Sequence, residues 1–289
     1  MRRQVKAPEV RRELLPGEST ALLRELHLLT RDGDLNADSL RKLKQVNHLV
    51  RLLSPAVEDL LSRFGDPVIV DCGAGKGYLP FVLHELFLGP AGKGTLLAVE
   101  SRPELARAAE ERARRLGFAR MRFVAAEVSG AELPPRVHLV TALHACDTAT
   151  DDALLLAIRR GADHVAVVPC CQAEVARQLE RAPEGSPFAP LHAHAWHRRE
   201  FGSHLTNVIR ALALEASGYK VTVTELAGWE HSVKNELILG AKVRAPSAKA
   251  RAALDALLAA SGVRPKLVRA LDRPPGDGNP AGGRSVPGP

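Results

Sequence analysis

The stretch PVIVDCGAGKGYL, from Pro67 to Leu79, decides how the rest of the chain is read. Val68 to Val70 is a short apolar run of the kind that forms a buried strand. Asp71 closes it, and Gly73, Gly75 and Gly77 lead into the apolar segment Tyr78 to Leu88. The expected local structure is a strand, a glycine turn and a helix. Glycine admits positive φ and leaves no Cβ in the way of a ligand, while a helix start presents N–H groups that have no partner. Such a turn suits a nucleotide-like cofactor.

The glycine spacing narrows the choice. A dinucleotide fingerprint is spaced G-x-G-x-x-G to hold a pyrophosphate on a helix N-terminus, whereas Asp71 to Gly77 reads D-x-G-x-G-x-G. A Walker loop needs Ser or Thr after its lysine, and here Gly77 follows Lys76. The stretch resembles motif I of the class I S-adenosylmethionine (SAM) methyltransferases. That resemblance implies that Gly73, Ala74, Gly75 and Gly77 lie against the methionine and ribose part of SAM. It also implies that Asp71 orders the amino group, often through water. A glycine turn alone is also compatible with a tight connection that binds nothing, so the neighbouring segments must decide.

With 289 residues, 45% of them hydrophobic, the chain can bury a full core, and one large domain with appendages is expected. No apolar run is long enough to span a bilayer, and the start MRRQVKAPEVRRELL lacks a signal peptide's apolar stretch, so a cytoplasmic protein without membrane association is expected. Cys72, Cys146, Cys170 and Cys171 make no disulfide framework for a chain of this size, and reduced thiols are the expectation. The net charge of +7 and pI near 9.5 favour a polyanion such as RNA or DNA, against a generally Arg-rich solvated surface. Aromatic residues are only 4%, so stacking platforms for single-stranded bases are scarce.

Helical periodicity runs from about Pro8 to Leu29 and from Asn36 to Phe64, punctuated by Gly17, Asp32-Gly33 and Pro55, which gives an N-terminal helical segment over residues 1–65. Lys42, Lys44, Gln45, Asn47 and His48 give its second half a polar character. This is either a solvated face or, through Lys44 or Gln45, a cover over cofactor or substrate. From Pro67 strands and helices alternate, the pattern of a parallel sheet with helices on both faces, and residues 66–245 form the expected main domain. Thr95 to Glu100 is the second strand, and Glu100 stands roughly 20 residues after the last motif glycine, where a carboxylate accepts hydrogen bonds from ribose hydroxyls. Pro103 to Leu116 is a helix and Met121 to Ala125 the third strand. The resemblance implies that Glu127 after it contacts the adenine, with Val128 and Leu143 completing the cofactor set.

His138 to Leu143 is the fourth strand and delivers His144-Ala145-Cys146-Asp147; Thr148 to Asp151 then suit the cap of a helix running to Arg160 with Gly161 as its stop. His164 to Val168 is the fifth, ending in Pro169-Cys170-Cys171-Gln172. Ligands bind outside the carboxyl ends of strands in such sheets, which is where both clusters emerge. A helix over Ala173 to Arg181 follows. The Pro-rich loop Ala182 to Pro190, with His192 to Arg199, then reads as an exposed connector or a substrate clamp. Ser203 to Ser217 reads as a helix, and the alternating strands Lys220 to Glu225 and Glu236 to Val243 as a closing hairpin. Residues 246–272 form a C-terminal helical extension around Ser247 to Ala260, and 273–289 a tail disordered by composition.

The runs LHACDTATDDALLLAI and VAVVPCCQ make the resemblance more specific. They are similar to a family with a His-x-Cys-x-x-x-Thr-Asp segment and a Cys-Cys pair after strands four and five. Its members include eukaryotic tRNA acceptor-stem 2′-O-methyltransferases and uncharacterised bacterial methyltransferase-domain proteins. The likeness extends to KLKQVN and to EHSVKN, so it spans roughly Lys42 to Val243. It implies a Rossmann-like class I methyltransferase fold of α/β class: a seven-stranded, mostly parallel sheet with one antiparallel strand. Asp147 replaces the glycine of the tRNA branch and Gln172 its histidine, which bears on the acceptor and leaves the SAM assignment intact.

Methyl transfer from a sulfonium asks the protein to position a nucleophile and, where needed, remove its proton. His144 or Asp147 is the candidate base, against structural roles in packing and capping. Cys170 and Cys171 line the reaction centre as a thiol wall. A covalent cysteine mechanism lacks its flanking motifs, and neighbouring Cys170 and Cys171 turn poorly to one zinc ion, so no metal is expected. Glu230, Lys234 and Asn235 are further candidates from the hairpin. The expected function is SAM-dependent methylation of RNA, tRNA or rRNA, with SAM and RNA as partners. The alternatives are a small-molecule or protein substrate, or a non-catalytic SAM- or RNA-binding protein.

Overall fold

The computed structural model describes residues 13–30, 32–143, 145, 147–169, 172–180, 189–226, 236–243 and 245–273. Two helices come first, α1 (Thr20–Glu25) and α2 (Ala37–Arg63). The sheet then opens with β1 (Val68–Cys72), followed by α3 (Tyr78–Leu83), which widens to a π turn over His84–Leu88 and ends in the short α4 (Gly89–Ala91). After these come β2 (Thr95–Glu100), α5 (Pro103–Arg115), β3 (Met121–Ala125), β4 (Leu139–Ala142), α6 (Thr148–Arg160) and β5 (His164–Val167). Helices α7 (Ala173–Leu179), α8 (Ala189–His192) and α9 (Ala195–Ala216) lead to β6 (Tyr219–Glu225) and β7 (Glu236–Lys242), and α10 (Ala248–Ser261) and α11 (Lys266–Leu271) close the described chain.

The seven strands form one sheet in the order β3-β2-β1-β4-β5-β7-β6. β1 to β5 pair in parallel, and β7 is antiparallel to both β5 and β6, so six strands share one direction and one is reversed. This is the Rossmann-like arrangement that the sequence implies. Alternate strand residues face opposite sides. Ile69, Leu96 and Ala98 pack under α1, α2, α3 and α5, while Val70, Cys72, Leu97 and Val99 pack against α6, α9 and the C-terminal helices. Each fully buried aliphatic side chain contributes about 1.5–3 kcal/mol, so both faces are held by burial.

Several boundaries differ from the sequence expectation. β1 does not close at Val70: Asp71 lies inside it, paired with Ala98 and Thr141. Pro55 does not punctuate α2. It sits on the exposed face, and the stripe Leu43, Val50, Leu53, Val57, Leu60 outweighs one lost N–H. In the described part of Pro8 to Leu29 only Thr20–Glu25 is α-helical; Leu14 is instead fastened to α2, its N–H donating to Asn47 Oδ1 and its carbonyl accepting from Asn47 Nδ2. The largest correction is at α9. Residues 195–202 are helical rather than part of a connector, and Gly202 has a packing role in the helix: a Cβ there would meet the Ala176 backbone at 3.0 Å, so glycine lets α9 lie against α7. The expected tail from Arg273 onward falls, apart from Arg273, outside the described residues, as do most of Ala182 to Pro190 and the hairpin connection 227–235.

Candidate functional site

The carboxyl ends of β1, β2 and β4 converge beside the glycine turn. Asp71 and Thr141 face each other in register, and the Thr141 hydroxyl donates to Asp71 Oδ1 at 2.6 Å. Asp71 is 3% exposed. Burial pushes its carboxyl up to about 7, and the Thr141 hydroxyl opposes that only in part. No cation pairs with it among the described residues.

Glu100, at the end of the neighbouring strand, has the opposite surroundings. Its Oε2 accepts from the Gly75 N–H at 2.7 Å, and its Oε1 from the Arg102 N–H at 3.1 Å and Nε at 2.7 Å. Burial works to raise this carboxyl too, but the Arg102 and Gly75 hydrogen bonds overcome it and hold it below its ordinary value. The turn between the two acids needs glycine for two reasons. Gly73 has φ 68°, and its Cβ would stand 3.4 Å from Ala145, so the turn abuts the loop after β4. Gly75 has φ 58°, and its Cβ would point into open space, with the nearest atom 4.0 Å away.

That space belongs to a cavity of about 470 Å³. Asp71 and the turn from Gly73 to Lys76 form one wall, Lys42, Gln45, Val46 and Val50 of α2 another, and Leu143 lies at the end of β4. Of the polar α2 residues, Lys42 and Gln45 line it and Lys44 does not; Lys42 is paired with Asp38 at 2.7 Å. Glu127 is exposed and Val128 packs against the opposite core, and neither lines the cavity. The lining fits SAM: a buried carboxylate suits an ammonium group and the open side of Gly75 admits close approach, while Glu100, outside the lining, holds the Gly75 N–H beside it.

A second polar assembly lies beside the loop after β4. Asp147 has φ 49° and ψ −113°, a backbone conformation that costs about 1–3 kcal/mol in a residue with a side chain. Its carbonyl accepts from Arg210 Nη2 at 2.8 Å, and its carboxylate accepts from the Glu174 N–H and from Arg177 Nη2, each at 3.2 Å. Asp147 therefore closes the start of α7 and makes no side-chain cap on α6, the helix it precedes. Arg210, 1% exposed, also donates to Asp151 Oδ1 at 2.7 Å and to Asn207 Oδ1 at 3.3 Å. Asn207 Nδ2 donates to Glu236, and Ser203 Oγ donates to Gln172 Oε1 at 2.7 Å. Burial pushes the Asp151 carboxyl up, against the pull of Arg210. Asp151 is thus an ion-pair partner, and the expected capping run serves the core instead: the Thr150 hydroxyl donates to the Ala145 carbonyl at 2.7 Å.

His144, Cys146, Cys170 and Cys171, with Glu230, Lys234 and Asn235, lie outside the described residues. Cys72 is a buried free thiol, pushed up by burial. Sequence reasoning missed Thr141, whose signal was a lone hydroxyl in an apolar strand. It also missed Val46 and Val50, which at i, i+4 on a helix look like ordinary core. Arg210 carried no signal at all. Among the described residues no helix is long and apolar enough to cross a membrane.

Residues 41–178, from α2 to the end of α7, match the family model described as a methyltransferase domain. A human glutathione S-transferase C-terminal domain-containing protein is 26% identical over 235 residues, covering 74% of this chain and 35% of that protein. The chain thus spans about a third of the length of the curated relatives it matches. Similar solved structures include an rRNA methylase from Streptococcus thermophilus, 9% identical over 66% of this chain and 95% of that one, with a TM-score of 0.41. Another is a SAM-dependent methyltransferase from Aquifex aeolicus, 19% identical over 68% and 95%, with a TM-score of 0.36.

Proposed function

We propose that this chain, an S-adenosylmethionine-dependent methyltransferase, delivers its methyl group to RNA. SAM, its cofactor, supplies a methyl on a sulfonium, open to in-line displacement. Asp71 receives the ammonium end in the cavity, and Gly73, Ala74, Gly75 and Gly77 let the backbone approach. Glu100 accepts from the ribose hydroxyls while Arg102 and Gly75 hold its carboxylate in place. Leu143, which lines the cavity, borders the adenine, and Glu127 and Val128, which do not line it, have no role there. His144 takes the acceptor's proton, because the Asp147 carboxylate is committed to the start of α7. Cys170 and Cys171 wall the place where acceptor and methyl meet.

The observation that carries the RNA reading is the net charge of +7 at a pI near 9.5. The resemblance of residues 143–158 and 165–172 to tRNA acceptor-stem methyltransferases points the same way. The test is transfer of tritiated methyl from SAM to total RNA, total protein and a small-molecule extract at rising salt, preceded by calorimetric titration of SAM and S-adenosylhomocysteine. Label is expected in RNA, falling steeply with salt as phosphate contacts are screened. Label entering protein or the small-molecule fraction instead, insensitive to salt, overturns the RNA reading.

A further inference from the structure

The first two turns of α9 carry an arrangement that the cofactor site does not use. Trp196 is 64% exposed, the most open large hydrophobic residue among those described. The Arg199 guanidinium lies over its ring, 4.4 Å from the centroid. Only one of the five guanidinium donors is engaged in the described contacts, Nε with Glu200 at 3.2 Å, and the Arg199 side chain is 56% exposed. On the same turn the exposed rings of His194 and His197 meet edge to face at 5.5 Å. Arg198 fastens this end of the helix by donating to the His192 carbonyl at 2.9 Å and to Glu180 at 3.1 Å.

Its position places this surface at the carboxyl rim of the sheet, beside the end of β5. β5 and β6 run in the same direction, so the helix joining them starts on the rim where β5 ends. Ser203 bonds Gln172, just beyond β5, which marks where α9 crosses that rim. Residues 195–202 therefore overhang it by about 10 Å at 1.5 Å per residue. A wide aromatic face, stiffened by a stacked cation and bordered by further hydrogen-bonding rings, is what an unpaired nucleobase stacks on, with the guanidinium left for the adjoining phosphate. A membrane surface would ask for several apolar side chains around the tryptophan. Here Leu191 is the one other exposed large apolar side chain nearby among the described residues, and His194, His197, Arg198, Arg199 and Glu200 make the rest of the surroundings polar.

We infer that Trp196 and Arg199 form a stacking platform for an unpaired base of the RNA substrate, next to the base or ribose being methylated. The inference rests on the RNA reading above. It is tested with the full chain and its Trp196→Ala, Trp196→Phe and Arg199→Ala variants. The readouts are fluorescence anisotropy with a labelled mixed-sequence single-stranded RNA, co-sedimentation with phosphatidylcholine–phosphatidylserine vesicles, and calorimetry with SAM as the folding control. Trp196→Ala is expected to weaken RNA binding roughly five- to hundredfold. Trp196→Phe should keep most of the affinity, Arg199→Ala should weaken it and flatten its salt dependence, and SAM affinity should be unchanged in all three. Wild-type binding to RNA that Trp196→Ala leaves intact overturns the platform and leaves the RNA reading standing. Loss of vesicle binding alone in that variant overturns it in favour of a lipid surface. Absence of RNA binding by the wild type removes the RNA reading itself.

Discussion

Asp71 at the end of β1 and Asp151 in the first turn of α6 are buried alike, 3% and 2% exposed, but they have opposite company. Asp151 has the Arg210 guanidinium at 2.7 Å, and through it ties α6, α9 and the turn at Asp147 into one unit. Asp71 has a hydroxyl and a cavity. Both carboxyls are pushed up by burial, yet among the described residues only one has a counter-charge. A buried acid with its partner supplied is scaffold, and removing the partner leaves an uncompensated charge. A buried acid without one is an open valence, tolerated because a ligand completes it.

The sharpest way to break this contrast is to take the partner from Asp151. Arg210→Met is expected to cost about 3–5 kcal/mol in urea unfolding, and the double change with Asp151→Leu to recover much of it. A single-variant loss below about 1 kcal/mol would show that the two acids do not differ in kind. Next comes Asp71→Asn. SAM affinity by calorimetry should fall roughly thirty- to thousandfold, while the unliganded protein at pH 8 gains on the order of 2–4 kcal/mol, because the variant no longer buries a lone charge. A destabilised Asp71→Asn protein would put Asp71 with the scaffold.

The pH dependence gives a smaller and more specific effect. The folded Asp71 carboxyl sits at about 7 against an ordinary 3.8, so between those values the folded state holds a proton that the unfolded state has released. Stability of the unliganded protein from this group is therefore greatest below about pH 4 and declines as pH rises to 7. SAM binding has the reverse slope, weakening up to about tenfold per unit as pH drops below 7, and the slope disappears in Asp71→Asn. At the opposite rim of the sheet the contrast predicts almost nothing. Arg63 bridges Asp59 at 2.7 Å and Asp163 at 2.8 Å, but it is half exposed, and Arg63→Ala should barely move the thermal midpoint.

Strands β2 and β3 have the ends expected for them, because each is a short, mainly apolar run, interrupted in β3 only by Arg122. Misreadings arose where one residue was taken as punctuation. Pro55 carries a strong local preference that burial across a whole helix face overrules, and Gly202 stays inside α9 by its close packing on α7. The stacking surface was hidden for the same reason. Reading a break near Ser203 left Trp196 and Arg199 in a connector, where their i, i+3 stacking has no meaning.

By itself, the sequence determined the alternation of strands and helices, the glycine turn and the acids at the ends of β1 and β2. These are local patterns: hydrophobic period, backbone freedom and short spacing survive in a linear string. Only the tertiary structure decided which acid has a partner. Thr141 reaches Asp71 across 70 residues and Arg210 reaches Asp151 across 59. Nothing in either segment announces a pairing that exists only once the sheet and its covering helices bury both groups together.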